Sequence, residues 1–175
     1  MTDKIVLDIE TKNTFADVGR DNFDALEISL VGAYSYNQNK YFCFNENQLD
    51  EFAQLCQSAN LLIGFSINRF DLPVLKKYLT FDLFNMANFD ILDKIETITG
   101  QRVGLNALAK TNLGIGKTGH SLAAPHLYHK GQIEELKNYC LNDVKITKEL
   151  YELALKQGYL LVPQKNSHES LRVEL

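Results

Sequence analysis

The sequence predicts an α/β fold in which a mixed five-stranded sheet carries helices on both faces. Two observations predict it. Residues 1–44 contain a strand followed by a hairpin, the order expected of antiparallel pairing, whereas residues 45–157 alternate helical segments with short apolar runs. Short apolar runs between helices are typical of parallel strands buried on both sides. A single sheet that combines both kinds of pairing accounts for the whole order.

Aliphatic residues and two carboxylates define the first predicted strand, over 5–11. Because side chains on a strand alternate between faces, Asp8 and Glu10 are expected to project the same way. Two negative charges side by side cost free energy unless a proton or a cation lies between them, so a divalent metal ion suits the pair. A solvated strand face is the alternative, and further acidic residues must converge on the pair to exclude it.

The remaining elements follow in order along the chain. The predicted strands cover 27–36, 40–44, 61–65 and 89–92, with a small addition at 159–162, and the predicted helices cover 46–58, 70–79, 94–99, 104–113 and 132–157. Asn45 suits the cap of the first helix, Pro73 lies near the start of the second, and Gly158 ends the last. Polar residues predict loops over 12–24 and 114–119.

Size and composition indicate one globular domain. Its 175 residues are enough to bury an apolar core without disulfides, and 45% hydrophobic with 23% charged residues is the balance of a folded protein. We assign this domain to 1–163 and expect 164–175 to be a polar, mobile tail. No apolar run is long enough to span a bilayer and no signal-peptide pattern precedes the first strand, so we expect a cytoplasmic protein.

Charge and cysteine content restrict the function classes. Three widely spaced cysteines, Cys43, Cys56 and Cys140, suit a reducing compartment and argue against a disulfide framework or a four-cysteine zinc site. The formal net charge of −4 argues against a passive nucleic-acid coat. It does not exclude an enzyme that meets phosphates through cations held by its own carboxylates, because the cation neutralises part of the negative charge.

Three further residues have settings that suit the first acidic pair. Asp71 follows the apolar run 61–65, at the carboxyl end of a predicted central strand, where open α/β sheets place their sites. Helix capping is the alternative interpretation of Asp71. Tyr139 and Asp143 are four residues apart in the last helix and therefore lie one turn apart on one face.

Taken together and in this order, the five residues resemble the motifs of the DEDD superfamily of 3′–5′ exonucleases, which have a ribonuclease H-like fold. The three motifs are similar to 8–11 (Asp-Ile-Glu-Thr), 64–71 (Gly-Phe-Ser-Ile-Asn-Arg-Phe-Asp) and 139–143 (Tyr-Cys-Leu-Asn-Asp). The third motif resembles the tyrosine type (DEDDy), since Asn138 stands where the histidine type has its His. The resemblance spans 5–158 and is strongest to the exonuclease domains of family-B DNA polymerases and their stand-alone bacterial relatives.

The resemblance implies a two-metal nuclease. Its candidate catalytic residues are Asp8, Glu10, Asp71, Tyr139 and Asp143. The four carboxylates would hold two Mg²⁺ or Mn²⁺ ions, one activating a water and the other stabilising the leaving oxygen of an in-line displacement at phosphorus. Asp8 would bridge both ions. Tyr139 would orient the attacking water, because a phenol with an ordinary pKa of about 10 is a poor base.

The resemblance also implies a set of substrate contacts. The candidates are Thr11, Phe65, Ser66, Asn68, Arg69 and Lys117. Thr11 would contact the terminal ribose, while Phe65 and Arg69 would stack on a base or meet a phosphate. Phe65 also suits a core position, and Lys117 also suits a solvated loop.

One departure from the family pattern concerns the grip on the terminal nucleotide. Family members often carry an Asn four or five residues before the motif-two Asp. Here those positions hold Ile67 and Ser66, and Asn68 lies three residues before Asp71. The metal ligands are unaffected by this departure.

Three other patterns favour ordinary structural interpretations. Residues 114–118 end like a nucleotide-binding P-loop but lack its upstream Gly and the buried strand before it. His120, His126 and His129 match the spacing of no standard zinc site, which favours a surface loop. Asp90 suits a strand end or a helix cap, although it could also face the site.

We therefore expect a divalent-metal-dependent exonuclease that removes nucleotides from the 3′ end of single-stranded nucleic acid, DNA in preference to RNA, and releases 5′-mononucleotides. Stacking surfaces and a local basic rim would be enough for binding despite the acidic total. One alternative is a non-catalytic nucleic-acid-binding or partner-docking module on the same fold, and another is a structure-selective endonuclease. A role in DNA repair beside a polymerase or helicase partner is compatible with this expectation, and no membrane partner is expected.

Overall fold

A computed structural model describes residues 2–115, 123–164 and 169–175. Its strands are β1 (Asp3–Thr11), β2 (Ile28–Ser35), β3 (Lys40–Asn45), β4 (Ala59–Gly64), β5 (Asn88–Asp90), β6 (Tyr159–Pro163) and β7 (Ser170–Glu174). Its α-helices are α1 (Phe15–Val18), α2 (Leu49–Gln57), α3 (Asp71–Leu75), α4 (Ile91–Thr99), α5 (Leu105–Leu113), α6 (Ala123–His129) and α7 (Ile133–Gln157). Short 3₁₀ turns cover Phe23–Ala25, Glu46–Gln48 and Leu83–Asn85.

The main sheet has five strands in the order β3-β2-β1-β4-β5. The pairs β1–β2 and β2–β3 are antiparallel, whereas β1–β4 and β4–β5 are parallel. The predicted mixed sheet is confirmed, with the hairpin on one side and the parallel strands on the other. Strands β6 and β7 form a separate antiparallel pair.

Alternation along β1 assigns its side chains to two cores. Ile5, Leu7 and Ile9 are buried with the apolar residues of α2 and α3 on one face. Val6 is buried with those of α4, α5 and α7 on the other face. The period of two therefore turns Asp8 and Glu10, like Val6, toward α7. Helices cover both faces of the sheet, as the sequence predicts.

Helix α7 packs closely across β2. Gly32 pairs with Asp8 in the β1–β2 ladder, and a Cβ at position 32 would lie 2.8 Å from the Cys140 Sγ and 2.9 Å from Val144 Cγ2. Only a residue without a side chain leaves room for this approach. The long helix consequently lies directly over the strand that carries the first two carboxylates.

Three predicted segments in the first half need correction. The predicted loop over 12–24 contains α1, which begins with a capping box between Thr14 and Asp17, and a 3₁₀ turn. The predicted helix over 46–58 begins as a 3₁₀ turn that Asn45 caps, and becomes α-helical at Leu49. The predicted strand over 89–92 ends at Asp90, where the carboxylate caps α4.

Two segments in the second half also differ from expectation. The residues between Ala123 and His129, predicted as loop, form α6. The tail predicted to be mobile contains β7, which pairs with β6 and buries Val173 to 1% exposure. Alternation within 170–174 places a single apolar side chain inward, and so short a polar strand carries too weak a pattern to be recognised. The predicted loop over 116–119 lies outside the described residues. Within the described ranges, no helix combines the length and apolarity needed to cross a bilayer.

Candidate active site

Strand β1 presents the first acidic pair beneath α7. Asp8 is half-buried and Glu10 is 8% exposed, and both follow Val6 on the face that α7 covers. The ladder register with β2 shifts between Glu10 and Thr11, where the strand ends. The pair thus lies at the carboxyl end of a central strand, where open α/β sheets bind their ligands.

Asp71 reaches the pair from α3. Its Oδ1 accepts a hydrogen bond of 3.0 Å from the backbone N–H of Ile9, the residue between Asp8 and Glu10. The Asp71 side chain is only 4% exposed. Burial raises the pKa of its carboxyl to about 7, against the lowering by backbone N–H groups, and the negative charge of Asp90 raises it further. A cation beside this carboxyl would favour its ionised form.

Helix α7 supplies Tyr139 and Asp143 from one face, as their spacing predicts. Asp143 is 2% exposed and Tyr139 is 6% exposed. The Tyr139 ring packs in a small apolar cluster with Leu30 of β2 and Leu136 one turn earlier. Since Leu30 pairs with Glu10 across the β1–β2 ladder, this packing fixes the ring beside the acidic strand.

A cleft of about 270 Å³ opens between β1, α7 and the residues that follow β1. Its walls are formed by Asp8, Ile9, Glu10, Thr11, Asn13, Thr14, Phe15, Leu26, Phe70, Pro125, Tyr139 and Asp143. Four of the five predicted catalytic residues therefore share one cavity. The fifth, Asp71, joins them through its hydrogen bond to Ile9.

The structure adds Cys140, which is not among the predicted site residues. Its Sγ lies 3.7 Å from the Asp8 carbonyl oxygen and 3.9 Å from the Asp8 Oδ2. One ligand atom each from Asp8, Glu10 and Cys140 lies within 4.8 Å of the other two, so these residues could hold a metal ion. The signal was present in the sequence, because Cys140 adjoins Tyr139 and lies three residues before Asp143 on the same helix.

The donor set fits a hard divalent cation. Burial raises the pKa of the Cys140 thiol well above its usual value, and the negative charges of Asp8 and Glu10 raise it further. At neutral pH the thiol is therefore protonated and neutral, and the charged donors are carboxylate oxygens. Oxygen ligands of this kind suit Mg²⁺ or Mn²⁺ better than they suit a thiolate-seeking ion.

Phe15 and Phe70 also line the cleft, and neither is among the predicted ligand contacts. Their ring centroids lie 6.0 Å apart in an edge-to-face arrangement, and both rings line the cleft wall. Aromatic faces beside a polar site offer stacking surfaces to nucleic-acid bases. Phe15 is one of several apolar residues within the polar segment 12–24, so the sequence gives it no distinct signal.

The predicted substrate contacts do not all lie together. Thr11 lines the cleft, and its Oγ1 donates a 2.7 Å hydrogen bond to the Asn13 carbonyl. Phe65 packs in the core cluster that contains Val6 and Ile63. Lys117 lies outside the described residues.

Asn68 and Arg69 turn toward α4 instead. The Asn68 amide donates to the Asn88 Oδ1 at 3.1 Å and to the Asp93 Oδ2 at 2.8 Å. The Arg69 guanidinium pairs with Asp93 at 3.2 Å and with Glu96 at 2.8 Å. Both side chains thus tie the segment before α3 to α4.

The histidines follow the surface interpretation where the structure describes them. His126 and His129 are exposed on α6, and His120 lies outside the described residues. Asp90, by contrast, is 2% exposed and caps α4.

Comparison with known proteins agrees with this architecture. In the curated proteins, the chain is similar to the DNA mismatch repair protein MutS from two strains of Clostridium botulinum, with 26% identity over 172 residues in each. The matched region covers 85% of this chain and 18% of those proteins, so the chain spans less than a fifth of their length.

Among solved structures, the chain is similar to the family B DNA polymerase from the hyperthermophilic archaeon Pyrobaculum calidifontis. The TM-score is 0.70 and the identity 14%, over 89% of this chain and 25% of that one, a likeness that shows the fold. Residues 5–155 also match a family described as RNase_H superfamily. Because that match covers most of the chain, the protein belongs to the RNase_H superfamily.

Proposed function

We propose that this protein is a divalent-metal-dependent 3′–5′ exonuclease of the tyrosine (DEDDy) type, which shortens single-stranded DNA and releases 5′-mononucleotides. One observation carries the proposal. The side chains of Asp8, Glu10, Tyr139 and Asp143 line a single cleft, and Asp71 is hydrogen-bonded to the backbone between the first two. Membership of the RNase_H superfamily supports a nuclease on this scaffold.

The acidic residues have a common role in this proposal. Asp8, Glu10, Asp71 and Asp143 would hold two divalent cations, Mg²⁺ or Mn²⁺. When bound, such ions would supply activation of a water and stabilisation of charge on the leaving oxygen. The hydrogen bond from the Ile9 N–H fixes the orientation of the Asp71 carboxyl before any ligand arrives.

Tyr139 orients the attacking water through its hydroxyl. Its ring packs with Leu30 and Leu136 and the residue lines the cleft, which supports a fixed position for the hydroxyl. A pre-positioned donor of this kind lowers the cost of ordering the water at the moment of attack.

The substrate class follows from the cleft and from the relatives. Phe15 and Phe70 offer aromatic surfaces, and Thr11 contributes a polar rim beside the carboxylates. Bases of an unpaired strand can reach such surfaces, whereas stacked bases of a duplex cannot. DNA is proposed over RNA because the curated relatives are DNA mismatch repair proteins. A polymerase, helicase or repair partner is compatible with this role. Its setting is proposed to be the reducing cytoplasm, since all three cysteines are free thiols.

A digestion ladder tests the reaction. A 5′-labelled single-stranded DNA is incubated with the protein and Mg²⁺ or Mn²⁺, and separately with EDTA. The proposal predicts stepwise shortening from the 3′ end that EDTA stops. Discrete internal cuts would indicate the endonuclease alternative, and binding without cleavage would indicate the non-catalytic module. A parallel RNA strand measures the DNA preference.

A matched pair of variants tests the site. Asp8→Ala should abolish digestion while leaving the circular dichroism spectrum unchanged. Asp50→Ala, the same substitution at an exposed position on α2, should digest like the parent. Calorimetric titration with Mn²⁺ adds a readout that needs no substrate, and heat of binding is expected from the parent and from Asp50→Ala alone. Full activity of Asp8→Ala would refute the assignment.

A further inference from the structure

Asp90 occupies a buried junction between the segment before α3 and the start of α4. Its side chain is 2% exposed, and its two oxygens accept hydrogen bonds from four backbone N–H groups. Oδ1 accepts from Leu92 at 3.0 Å and from Asp93 at 3.2 Å, which caps α4. The same oxygen accepts from Ser66 at 2.8 Å, and Oδ2 accepts from Asn68 at 3.0 Å. A helix cap needs only the first two bonds, so the other two call for a separate explanation.

The segment over 66–68, which donates the other two hydrogen bonds to Asp90, has an unfavourable backbone conformation. Ser66 has φ of 68°, in the left-handed region that residues other than glycine rarely adopt. Its carbonyl oxygen accepts hydrogen bonds from the N–H groups of Arg69 and Phe70, each at 3.2 Å, which closes a tight turn. Such a conformation persists only where surrounding contacts hold it. The two bonds to Asp90 are contacts of that kind.

The turn leads directly into the residue that approaches the acidic pair. The Ile67 carbonyl oxygen accepts the N–H of Leu72 at 2.9 Å, which connects the turn to the first residues of α3. Ile67 itself is 1% exposed and packs so tightly over Gly64 that a Cβ there would lie 2.0 Å from its Cγ2. A shift of the turn would therefore be transmitted to Asp71 and to its bond with Ile9.

We propose that Asp90 is a positioning residue that holds the turn over 66–68 in place and thereby sets the position of Asp71 against β1. It touches neither substrate nor the reacting atoms. It acts through the backbone, separately from the negative charge by which it raises the pKa of Asp71. Its meaning for catalysis rests on the proposed exonuclease function, whereas its effect on the position of Asp71 does not.

Asp90→Asn separates this role from helix capping. Asn is as good a helix cap as Asp, and its single carbonyl oxygen can replace Oδ1 toward Ser66, Leu92 and Asp93. The amide NH₂ that replaces Oδ2 is a donor and cannot accept from the Asn68 N–H. If capping were the whole structural role, hydrogen exchange at the Asn68 N–H would be the same in the variant and the parent, whatever the loss of the Asp90 charge does to Asp71. The matched control is Asp82→Asn, since Asp82 caps the 3₁₀ turn Leu83–Asn85 through Phe84 and lies outside the turn over 66–68.

The first measurement is steady-state digestion of single-stranded DNA. Asp90→Asn should lower kcat by about 10- to 100-fold, the usual effect of removing a group that orients a metal ligand, with KM changed less than about threefold. Asp82→Asn should match the parent in both constants. Adding Ser66→Gly to Asp90→Asn should recover kcat by about fivefold, because glycine adopts positive φ without the steric cost that serine bears.

The second measurement needs no activity. In amide-resolved spectra, Asp90→Asn should accelerate hydrogen exchange at the Asn68 N–H and shift the Ile9 N–H resonance, while Asp82→Asn leaves both unchanged. If the parent shows no digestion, the exonuclease proposal fails and these spectra alone decide the role of Asp90.

Three outcomes would overturn the positioning role. The first is a parent-like Ile9 resonance in Asp90→Asn. The second is an unchanged kcat in that variant when the parent is active. The third is unfolding of both Asp90→Asn and a backup variant, Asp90→Ser, while Asp82→Asn folds, because Asp90 would then act on the stability of the whole fold.

Asp90→Ser is used if Asp90→Asn does not fold, since its hydroxyl retains a capping oxygen but lacks a second acceptor.

Discussion

Gly32 and Cys140 approach so closely that a Cβ on Gly32 would lie 2.8 Å from the Cys140 Sγ. Gly32 pairs with Asp8 across the β1–β2 ladder, and Cys140 adjoins Tyr139 on α7. The contact therefore limits how closely α7, which carries Asp143, approaches the strand with the first two carboxylates. A glycine that does not itself line the cleft thus affects how near Asp143 lies to Asp8.

Gly32→Ala should push α7 away from β1. The added methyl group cannot fit beside the Cys140 Sγ and Val144 Cγ2, so we expect a loss of about 1–3 kcal/mol in the free energy of unfolding. Displacement of Tyr139 and Asp143 should lower the rate of DNA digestion by at least about tenfold. Urea denaturation and a digestion time course measure the two effects.

Gly104→Ala is the matched control, because nothing lies within 4 Å of a Cβ at that position. It should retain the activity of the parent. Adding Cys140→Ala to Gly32→Ala removes one of the two clashes and should restore part of the lost stability. If Gly32→Ala is as active as the parent, the helix spacing does not depend on this glycine.

Tyr139→Phe should separate the hydroxyl from the ring. The ring contacts with Leu30 and Leu136 remain, so the melting temperature should fall by less than about 3 °C. Loss of the group that orients water should lower kcat by about 100-fold with little change in KM. Tyr159→Phe, the same substitution on β6, is the control. A parent-like kcat in Tyr139→Phe would remove the hydroxyl from the mechanism.

The sequence predicted the parts of the molecule that periodicity and motif spacing specify. Short apolar runs predicted the buried parallel strands, and a repeat of 3.6 residues predicted α7. The structure confirms the mixed sheet that this order of elements predicts. Helical spacing also correctly predicted that Tyr139 and Asp143 share one face. The alternation of side chains along a strand correctly predicted that Asp8 and Glu10 lie on the same face of β1.

Features that depend on tertiary contacts were not predictable in the same way. The side chains of Asn68 and Arg69 turn toward Asp93 because α4 offers them carboxylates, which no local pattern shows. Strand β7 has one inward apolar residue, Val173, and is stabilised by pairing with β6 instead of by its own pattern. The close approach at Gly32 follows from the packing of α7, which composition does not specify.

Asp71 should make the metal-free protein less stable as pH rises. Its native pKa of about 7 lies above the value of 3.8 expected in the unfolded chain, so the native state binds more protons between these values. The free energy of unfolding therefore includes a contribution that is complete below about pH 4 and is lost as pH rises to about 7. Its size is on the order of 4 kcal/mol.

Asp71→Asn isolates this contribution. The amide oxygen can still accept the hydrogen bond from the Ile9 N–H, but the amide does not ionise in this pH range. Urea midpoints in EDTA at pH 5 and pH 7.5 should fall more steeply for the parent than for Asp71→Asn. Added Mn²⁺ should reduce the fall in the parent, because a cation stabilises the ionised carboxyl. Parallel pH profiles of parent and variant would show that Asp71 titrates as it does in the unfolded chain.

The small β6–β7 sheet should depend on Asn112 of α5. The Asn112 Oδ1 accepts from the Leu161 N–H at 2.8 Å, and its Nδ2 donates to the Leu161 carbonyl oxygen at 2.7 Å. The side chain thus pairs with β6 as a neighbouring strand would. A two-stranded sheet is only marginally stable by itself, so this attachment stabilises the carboxyl-terminal hairpin against α5.

Asn112→Leu preserves the approximate size of the side chain and removes both hydrogen bonds. We expect the free energy of unfolding to fall by about 1–3 kcal/mol, because two backbone groups of the half-buried Leu161 lose their partners. Hydrogen exchange at the Leu161 N–H should accelerate in the same variant. Asn60→Leu, at an exposed position in β4, should change stability by less than about 0.5 kcal/mol. Equal stability of the two variants would mean that the hairpin is held by the burial of Val173 and its apolar neighbours, with no measurable contribution from the amide.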